Sequence, residues 1–263
     1  MTNDLTGTRA LITGGARGLG LRTAQVLAER GASVVIADID ENTGADAVAE
    51  LGGAASFVKV DVTDDASWTQ AVAQAVSSLG GLDAVINNAG IEISDLFVDL
   101  DPANVRKILD VNVLGTALGI KHAFRSMRQD DGSGTGGVII NIASVAATIA
   151  FPGIAAYSAS KSAVERLSKV AAAESGRLGY GVRVNTVCPG LVPNAMGAQL
   201  AGDMERLGLF PSTDEAVTAV VGLTPSGRLA TEDDIANGVA FLVSPDAVFV
   251  NGATLSIDGA MGM

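Results

Sequence analysis

The chain is poor in the residues that would mark a secreted, nucleic-acid-binding or membrane protein. It holds one cysteine, Cys188, in 263 residues, which excludes an intrachain disulfide and a cysteine-rich metal site. A redox thiol would need a lowered pKa, so Cys188 is read as a small core residue. The one histidine, His122, falls mid-helix with no cluster of carboxylates about it; it is read as a surface or interface residue, and no metal is expected. Basic residues number 17 against 29 acidic, a formal charge of −12 with no Lys/Arg-rich run, and such a surface repels nucleic acid and anionic lipid. Mean hydropathy is +0.37, yet Gly, Asn, Asp or Lys interrupts the apolar stretches, and none approaches the ~20 residues needed to span a bilayer. The opening MTNDLTGTRALITGG has acid before its first base and no apolar run followed by a small-residue cleavage site. A soluble, cytoplasmic chain is the expectation.

Apolar residues make up 48% and charged residues 17%, with 32 glycines, a balance that suits helices packed closely on a buried sheet and excludes a disordered or fibrous chain. An α/β chain of this length folds around a single sheet, so one domain over residues 1–263 is expected. Short β-branched or aliphatic runs recur at Ala10–Thr13, Ser33–Ala37, Ser56–Val60, Ala84–Ile86, Val138–Ile142, Val182–Val187 and Thr254–Ile257. They lack clean apolar/polar alternation, as strands buried on both faces do. Between them lie segments of helical period such as Gly20–Arg30, Ser67–Leu79, Pro102–Arg128, Tyr157–Leu178 and Glu232–Leu242. Strands alternating with helices imply right-handed crossovers, hence a doubly wound parallel sheet of the Rossmann type with helices on both faces. DGSGTGG, at 131 to 137, reads as a surface turn and not a linker. From Leu191 to Thr231 the rhythm breaks at Pro193, Pro211 and Pro225, leaving one amphipathic piece, Ala195 to Leu209, and no strand pattern. That excursion is a candidate substrate lid over about residues 191–230.

The first strand runs directly into TGGARGLG, with Gly14, Gly18 and Gly20, and a helix begins at once. Glycine is needed there because the turn is tight and the backbone must approach a pyrophosphate, to which the helix N-terminus presents N–H groups and positive dipole. Arg17 and Leu19 belong to the same loop. Asp38 ends the second strand, eighteen positions after Gly20, where a dinucleotide fold places the acid that binds the adenosine ribose hydroxyls. A carboxylate repels the extra phosphate of NADP. Arg17 pulls the other way, but Ile39 and Asp40 follow Asp38 where a base would have to stand, so NAD is the expected cofactor. Asp61 and Val62 end the third strand within reach of the adenine, and Asn87, Asn88, Ala89 and Gly90 end the fourth. Ligands of open α/β sheets bind at the carboxyl ends of strands, so these positions share one rim. Singly, each has a plainer reading as a tight turn, a solvated Asp or an Asn-Gly turn.

Tyr157 and Lys161, four apart in YSASK at the start of a helical segment, project from one face about one turn apart. A phenol titrates near ~10, and bringing it to ~7 takes about 4 kcal/mol, which an adjacent ammonium and a nicotinium ring can supply. Tyr157 would then take the proton of an alcohol as hydride leaves, and return it in reduction. Ser144 closes the fifth strand thirteen residues earlier, its hydroxyl placed to bond the carbinol or carbonyl oxygen. Asn112, a poor helix former inside Pro102–Arg128, is a candidate to hold a water between Lys161 and solvent. The plain alternatives are a helix-surface pair, a strand-end serine and a solvent-facing asparagine.

In this order and spacing the motifs resemble the short-chain dehydrogenase/reductase family over essentially the whole chain. TGGARGLG matches its cofactor loop, NNAG its fourth-strand motif, NVLG with Asn112 its helix motif, Ser144 its serine, YSASK its tyrosine-lysine pair, and Pro189-Gly190 its exit from the sixth strand. The resemblance implies a seven-stranded Rossmann sheet and an oxidoreductase acting on CH–OH. It assigns the base/acid role to Tyr157, pKa lowering and ribose binding to Lys161, substrate orientation to Ser144 and proton relay to Asn112. Pro189, Gly190 and the backbone of Val192 fall on the cofactor side. One departure stands out: many relatives place a Thr after Pro-Gly, where LVPNAM has Asn194 behind Pro193. Asn still donates and accepts, so cofactor binding is expected to survive with an altered hinge. The resemblance also implies a homotetramer joined through Pro102–Arg128, Tyr157–Leu178 and the tail SIDGAMGM, with Ala117, Gly119, Ala163, Ala171 and Ala172 permitting close approach of subunits.

Beside the serine and tyrosine run Val145, Ala146, Ile149 and Phe151, and the lid offers Met196, Leu200, Met204, Leu207, Leu209 and Phe210. These either line an apolar pocket for a cyclic, aromatic or steroid-like secondary alcohol or its ketone, with Glu92 and Asn194 adding polar contacts, or only pack the lid. Two rivals stand beside an NAD-dependent alcohol dehydrogenase. An acyl-carrier-protein ketoreductase would prefer NADPH and a basic docking patch, at odds with Asp38 and the −12 charge. A non-catalytic NAD-binding regulator is at odds with the intact Asn112, Ser144, Tyr157 and Lys161.

Overall fold

Strands that are apolar on both faces satisfy their backbone only inside a sheet covered on both sides, and that is the arrangement found. The structure, a computed structural model, describes residues 4–132 and 134–263, so Ser133 of the glycine-rich turn lies outside the described residues. β1 (Arg9–Thr13), β2 (Ser33–Asp38), β3 (Ala55–Lys59), β4 (Ala84–Asn87), β5 (Gly137–Ile142), β6 (Val182–Pro189) and β7 (Thr254–Ile257) form one sheet in the order β3-β2-β1-β4-β5-β6-β7. Every neighbouring pair is parallel. The order reverses between β1 and β4, which opens a crevice at the carboxyl ends of those strands.

Alternate residues of the strands face opposite layers. Ile12, Val34, Ile36, Ile86 and Ile140 pack with Ala24 and Leu27 of α1 (Gly18–Glu29), Ala47 of α2 (Glu41–Leu51), and Ile235 and Val239 of α9 (Glu232–Val243). Their neighbours Leu11, Val35, Val85, Ile139 and Val184 pack with Trp68 and Ala71 of α3 (Asp65–Leu79), Phe124 and Met127 of α5 (Gly115–Met127), and Ala171 and Ala172 of α6 (Ala155–Leu178). Each aliphatic side chain fully removed from water contributes roughly 1.5–3 kcal/mol, so these two layers carry the fold. Among the described residues no helix is long and apolar enough to cross a membrane.

Three features depart from the sequence expectations. α2 was not foreseen. Its N-cap Asp40 accepts from the backbone of Asn42 and Thr43, and Gly44 lies so close to the ring of Phe57 that a Cβ there would overlap it. α8 (Thr213–Gly222), capped by Ser212, follows α7 (Ala195–Arg206) where only one amphipathic piece was expected. The long helix expected over Pro102–Arg128 is α4 (Pro102–Leu109) joined to α5 by a π turn, Asp110–Leu114, in which the N–H of Gly115 bonds the carbonyl of Asp110. A π turn of this kind rotates the side chains after it and often marks a functional site.

Two expectations about surface residues are corrected. His122 is buried: its Nε2 lies 2.7 Å from Asp65 Oδ1, and its ring stacks on Trp68. Gly119, Ala171 and Ala172 do not permit subunit contact, because they face their own sheet. Asn87 Nδ2 donates to Asn141 Oδ1 (2.7 Å), and Asn141 Nδ2 donates to Ser168 Oγ (2.8 Å), a buried polar ladder beneath the rim. A Cβ on Gly119 would overlap the amide of Asn87. Gly119→Ala should therefore destabilise the protein by about 1–3 kcal/mol through overpacking, read as a lower urea midpoint with an unchanged slope. An unaltered midpoint would show that α5 can shift away from β4.

Candidate active site

The carboxyl ends of the strands carry a cavity of about 560 Å3. Its cofactor-side wall begins with the glycine turn. Gly14 and Gly18 have φ of 60° and 55°, the left-handed region that favours glycine, and a Cβ on Gly20 would overlap the Gly14 carbonyl. Arg17, the N-cap of α1, makes no side-chain capping bond, so no side-chain cap from that residue blocks the helix N-terminus at the cavity wall. Thr13 Oγ1 accepts from the N–H groups of Asn88 and Ala89, both at 3.1 Å. Asn88 Nδ2 donates to the carbonyls of Thr13 and Gly14, both at 3.0 Å. Asp38 lines the cavity with Oδ2 accepting from Ala16 N (3.2 Å) and Oδ1 from Ile39 N (2.8 Å). Asp61 accepts from Thr63 N and Oγ1, and with Val62 extends the wall beyond β3. A dinucleotide fits this cradle: the glycines leave room for its pyrophosphate, and Asp38 stands at the next strand end for a ribose.

At the β5 and β6 side of the cavity stand Ser144, Tyr157 and Lys161, with Pro189, Gly190 and Val192 along the adjoining edge. Ser144 follows β5 and accepts from Ala146 N (3.1 Å). Two residues into α6, Tyr157 is buried, and one turn later Lys161 Nζ lies 5.5 Å from its ring centroid and donates to the Ile142 carbonyl at 2.9 Å. Leu19, Ala89 and Gly90 also line the cavity. A Cβ on Gly90 would stand 3.4 Å from Lys161 Nζ.

Of the four candidate catalytic residues, Asn112 alone does not line the cavity. The π turn buries it behind Gly90, away from solvent. Its Oδ1 accepts from Ile91 N (2.9 Å), and its Nδ2 donates to Ile91 O (2.9 Å) and to Ser160 Oγ (3.0 Å). Ser160 in turn donates to the Tyr157 carbonyl at 2.7 Å. Both amide protons of Asn112 are thus spent on protein atoms. Ser160 was passed over as a spacer in YSASK, although its i+3 position from Tyr157 put it on the inner face. Lys107 and Met261 also line the cavity, and no motif of the sequence points to them.

Burial governs the electrostatics. It pushes the Tyr157 phenol up to about 12, with the Ser144 hydroxyl pulling the other way and the charge of Glu92 adding to the rise. The descent toward neutrality is assigned to the ammonium together with a nicotinium ring, and the chain by itself holds the phenol up. Burial also lowers Lys161 to about 8. Cys188 donates to Glu165 at 3.2 Å, and burial pushes its thiol up to about 12, so it is a neutral core group packed on Ala143 and Val164.

The lid residues divide. Val145, Ala146, Ile149, Phe151, Met196 and Leu200 line the cavity. Met204, Leu207, Leu209 and Phe210 pack beneath the lid instead, with Phe210 stacked on Phe151 at 6.3 Å. The set is thus divided between cavity wall and lid packing. Asn194 lines the cavity, but its Oδ1 accepts from Gly197 N as the N-cap of α7, and its Nδ2 reaches Glu232 Oε1 at 3.4 Å. Glu92, buried in the β4 loop, also lines the cavity.

Sheet order, glycine turn and rim side chains together define an oxidoreductase architecture of the Rossmann type. The family described as Enoyl-(Acyl carrier protein) reductase matches residues 14–262. The chain is 41% identical over 262 residues to the 2,5-dichloro-2,5-cyclohexadiene-1,4-diol dehydrogenase of Sphingobium indicum, covering 98% of each chain. It is 40% identical over 260 residues to the trans-4-hydroxycyclohexanecarboxylate dehydrogenase of Sinomonas cyclohexanicum, covering 95% of this chain and 91% of that one. Among solved structures, the 3-ketoacyl-(acyl-carrier-protein) reductase from Brucella melitensis complexed with NADH superposes with a TM-score of 0.87 at 31% identity, over 99% of this chain and 100% of that one. The chain belongs to the short-chain dehydrogenase/reductase family.

The depressed Lys161 pKa has a stability consequence with a definite sign. Between about pH 8 and 10.5 the unfolded chain holds a proton that the folded chain has released, so this group's contribution to stability rises with pH across that window. Lys161→Met removes that dependence. From pH 7 to pH 10.5 the stability difference between the two proteins should move by about 3 kcal/mol in favour of the wild type, measured by urea unfolding at both ends. Parallel pH profiles would mean that the ammonium is solvated in the folded state.

Proposed function

We propose that the protein oxidises a cyclic secondary alcohol to its ketone, reversibly, with NAD as cofactor. The observation that carries this reading is the convergence of Ser144, Tyr157 and Lys161 on the same cavity as the glycine turn and Asp38. The printed names of the two relatives, both ring-alcohol dehydrogenases, and the apolar wall from Val145 to Phe151 support a cyclic substrate. Asp38 supports NAD over NADP, because it brings a carboxylate to the ribose position, with Ile39 and Asp40 rather than a base behind it.

When bound, the nicotinamide supplies the hydride acceptor and, in its oxidised form, a positive charge. The protein's own groups do the rest. Ser144 Oγ bonds the substrate oxygen and steadies the charge that develops there. Tyr157 Oη transfers the hydroxyl proton. Its raised pKa keeps the proton on Oη, so that it is present when a ketone binds, and both as donor and as base the phenol depends on positive charge at its side, of which Lys161 is the resident source. Asn112, through Ser160 and the Tyr157 carbonyl, holds the start of α6 in register. α7 and α8 form the lid, with Met196 and Leu200 on its inner side. Exposed Leu109, Leu114 and Val170 on the outer helices support assembly as a homotetramer.

A panel of cyclic, aromatic and steroid secondary alcohols, followed by NADH absorbance, tests the reading. Tyr157→Phe should lower kcat by about 10²–10⁴-fold while NADH binding, read by fluorescence titration, persists. Turnover confined to NADPH and a ketoacyl thioester would replace this reading with the ketoreductase, and NADH binding with no turnover on any substrate would favour the regulator. Asp38→Ala should shift preference toward NADP by roughly tenfold or more, since a like charge in a partly desolvated site is removed. An unchanged cofactor ratio would sink the role given to Asp38.

A further inference from the structure

One side chain in the substrate-side wall is unlike its neighbours. Glu92 stands two residues beyond Gly90 on the loop leaving β4, with 5% of its surface exposed. Its Oε1 accepts from Ser94 Oγ at 2.7 Å, while Oε2 is buried with no hydrogen-bond partner. The charged groups that act on it are Asp203, Arg206 and Asp95. The cation among them is already engaged, since Arg206 donates to Asp203 Oδ1 at 2.8 Å and to the Ser94 carbonyl at 3.0 Å. Burial raises the Glu92 carboxyl, the expected response of an acid held out of water. The position is fixed from both sides: Gln199 of α7 donates to the Glu92 carbonyl at 3.4 Å, and Asp95 N bonds the Gly153 carbonyl at 2.9 Å. Val145, Ile149, Phe151, Met196 and Leu200 give the same cavity an apolar stretch of wall.

A buried oxygen with a free lone pair, on a residue that lines the same cavity as Ser144 and Tyr157, asks for a partner that the protein does not supply. The geometry points to Glu92 as a specificity-determining residue: its Oε2 takes a hydrogen bond from a second hydroxyl on the ring of the substrate and turns away substrates that carry a carboxylate there. This rests on the dehydrogenase reading above. A hydroxyl suits the site in either protonation state, because it donates to a carboxylate and accepts from a carboxylic acid. A plain cyclic alcohol leaves Oε2 unpaired, and at a pH where Glu92 is ionised a substrate carboxylate sets two like charges in a desolvated space.

Calorimetric titration of cyclohexanediol isomers, cyclohexanol and a hydroxycyclohexanecarboxylate, with and without NADH, reads this selectivity without requiring turnover. The wild type should bind its preferred diol about tenfold or more tighter than cyclohexanol, and the carboxylate most weakly. Glu92→Leu should bring the diol-to-cyclohexanol ratio close to one. Glu92→Gln, which keeps a hydrogen-bonding group, should retain the diol preference and admit the carboxylate; thermal unfolding shows that both variants are folded. Equal affinity of the wild type for diol and cyclohexanol, or a diol preference that survives Glu92→Leu, overturns the assignment. Diol binding that depends on Glu92 but is followed by no NADH formation would uphold the assignment and sink the dehydrogenase reading instead.

Discussion

The close approach of α1 to the ends of β1 and β4 is the contact on which the rest of the rim depends. It exists because Gly20 has no side chain: the Gly14 carbonyl and the Asn88 amide occupy the space that a Cβ would need. Thr13 and Asn88 then lock the two strand ends together through four hydrogen bonds of about 3 Å. That lock sets the start of the β4 loop, and so brings Gly90 against Asn112 and Lys161, and Glu92 to the substrate side. The glycine turn and the side chains of Tyr157 and Lys161 are therefore parts of one junction at the point where strand order reverses.

The second constraint is desolvation. Tyr157 and Lys161 are both held out of water, and each is driven toward its neutral form, the phenol upward and the ammonium downward. The hydrophobic layers above and below the sheet offset that cost, since either ionisable group alone would be unfavourable in such a place. Asn112 satisfies the N–H and carbonyl of Ile91 on the loop after β4, and Ser160 joins Asn112 to the Tyr157 carbonyl.

Much of this was legible in the order of residues. The seven strands appear as continuous apolar runs because a doubly covered sheet demands them, and the observed strands match within two residues at either end. Gly14, Gly18, Gly20, Asp38, Ser144, Tyr157 and Lys161 were identifiable because each occupies a strand end or a helix start, and topology sends all such positions to one rim. α2 escaped notice because Gly44 lowers its propensity, and its stability comes from contact with Phe57, a residue on β3. α8 was hidden for a related reason: its few buried residues, Ala216 and Val220, face α7 and the cavity rather than the sheet.

The sequence by itself determined the layer order, the rim and the residue types available for chemistry, because strand period, glycine spacing and helix starts are local properties. Tertiary structure alone decided which polar groups are paired. His122 meets Asp65, Asn112 meets Ser160 and Glu92 keeps one oxygen unpartnered, through contacts between residues far apart in the chain or through the shape of the cavity wall. Hydrogen bonding and desolvation depend on distances of a few tenths of an ångström after packing, and no local pattern of residues encodes them.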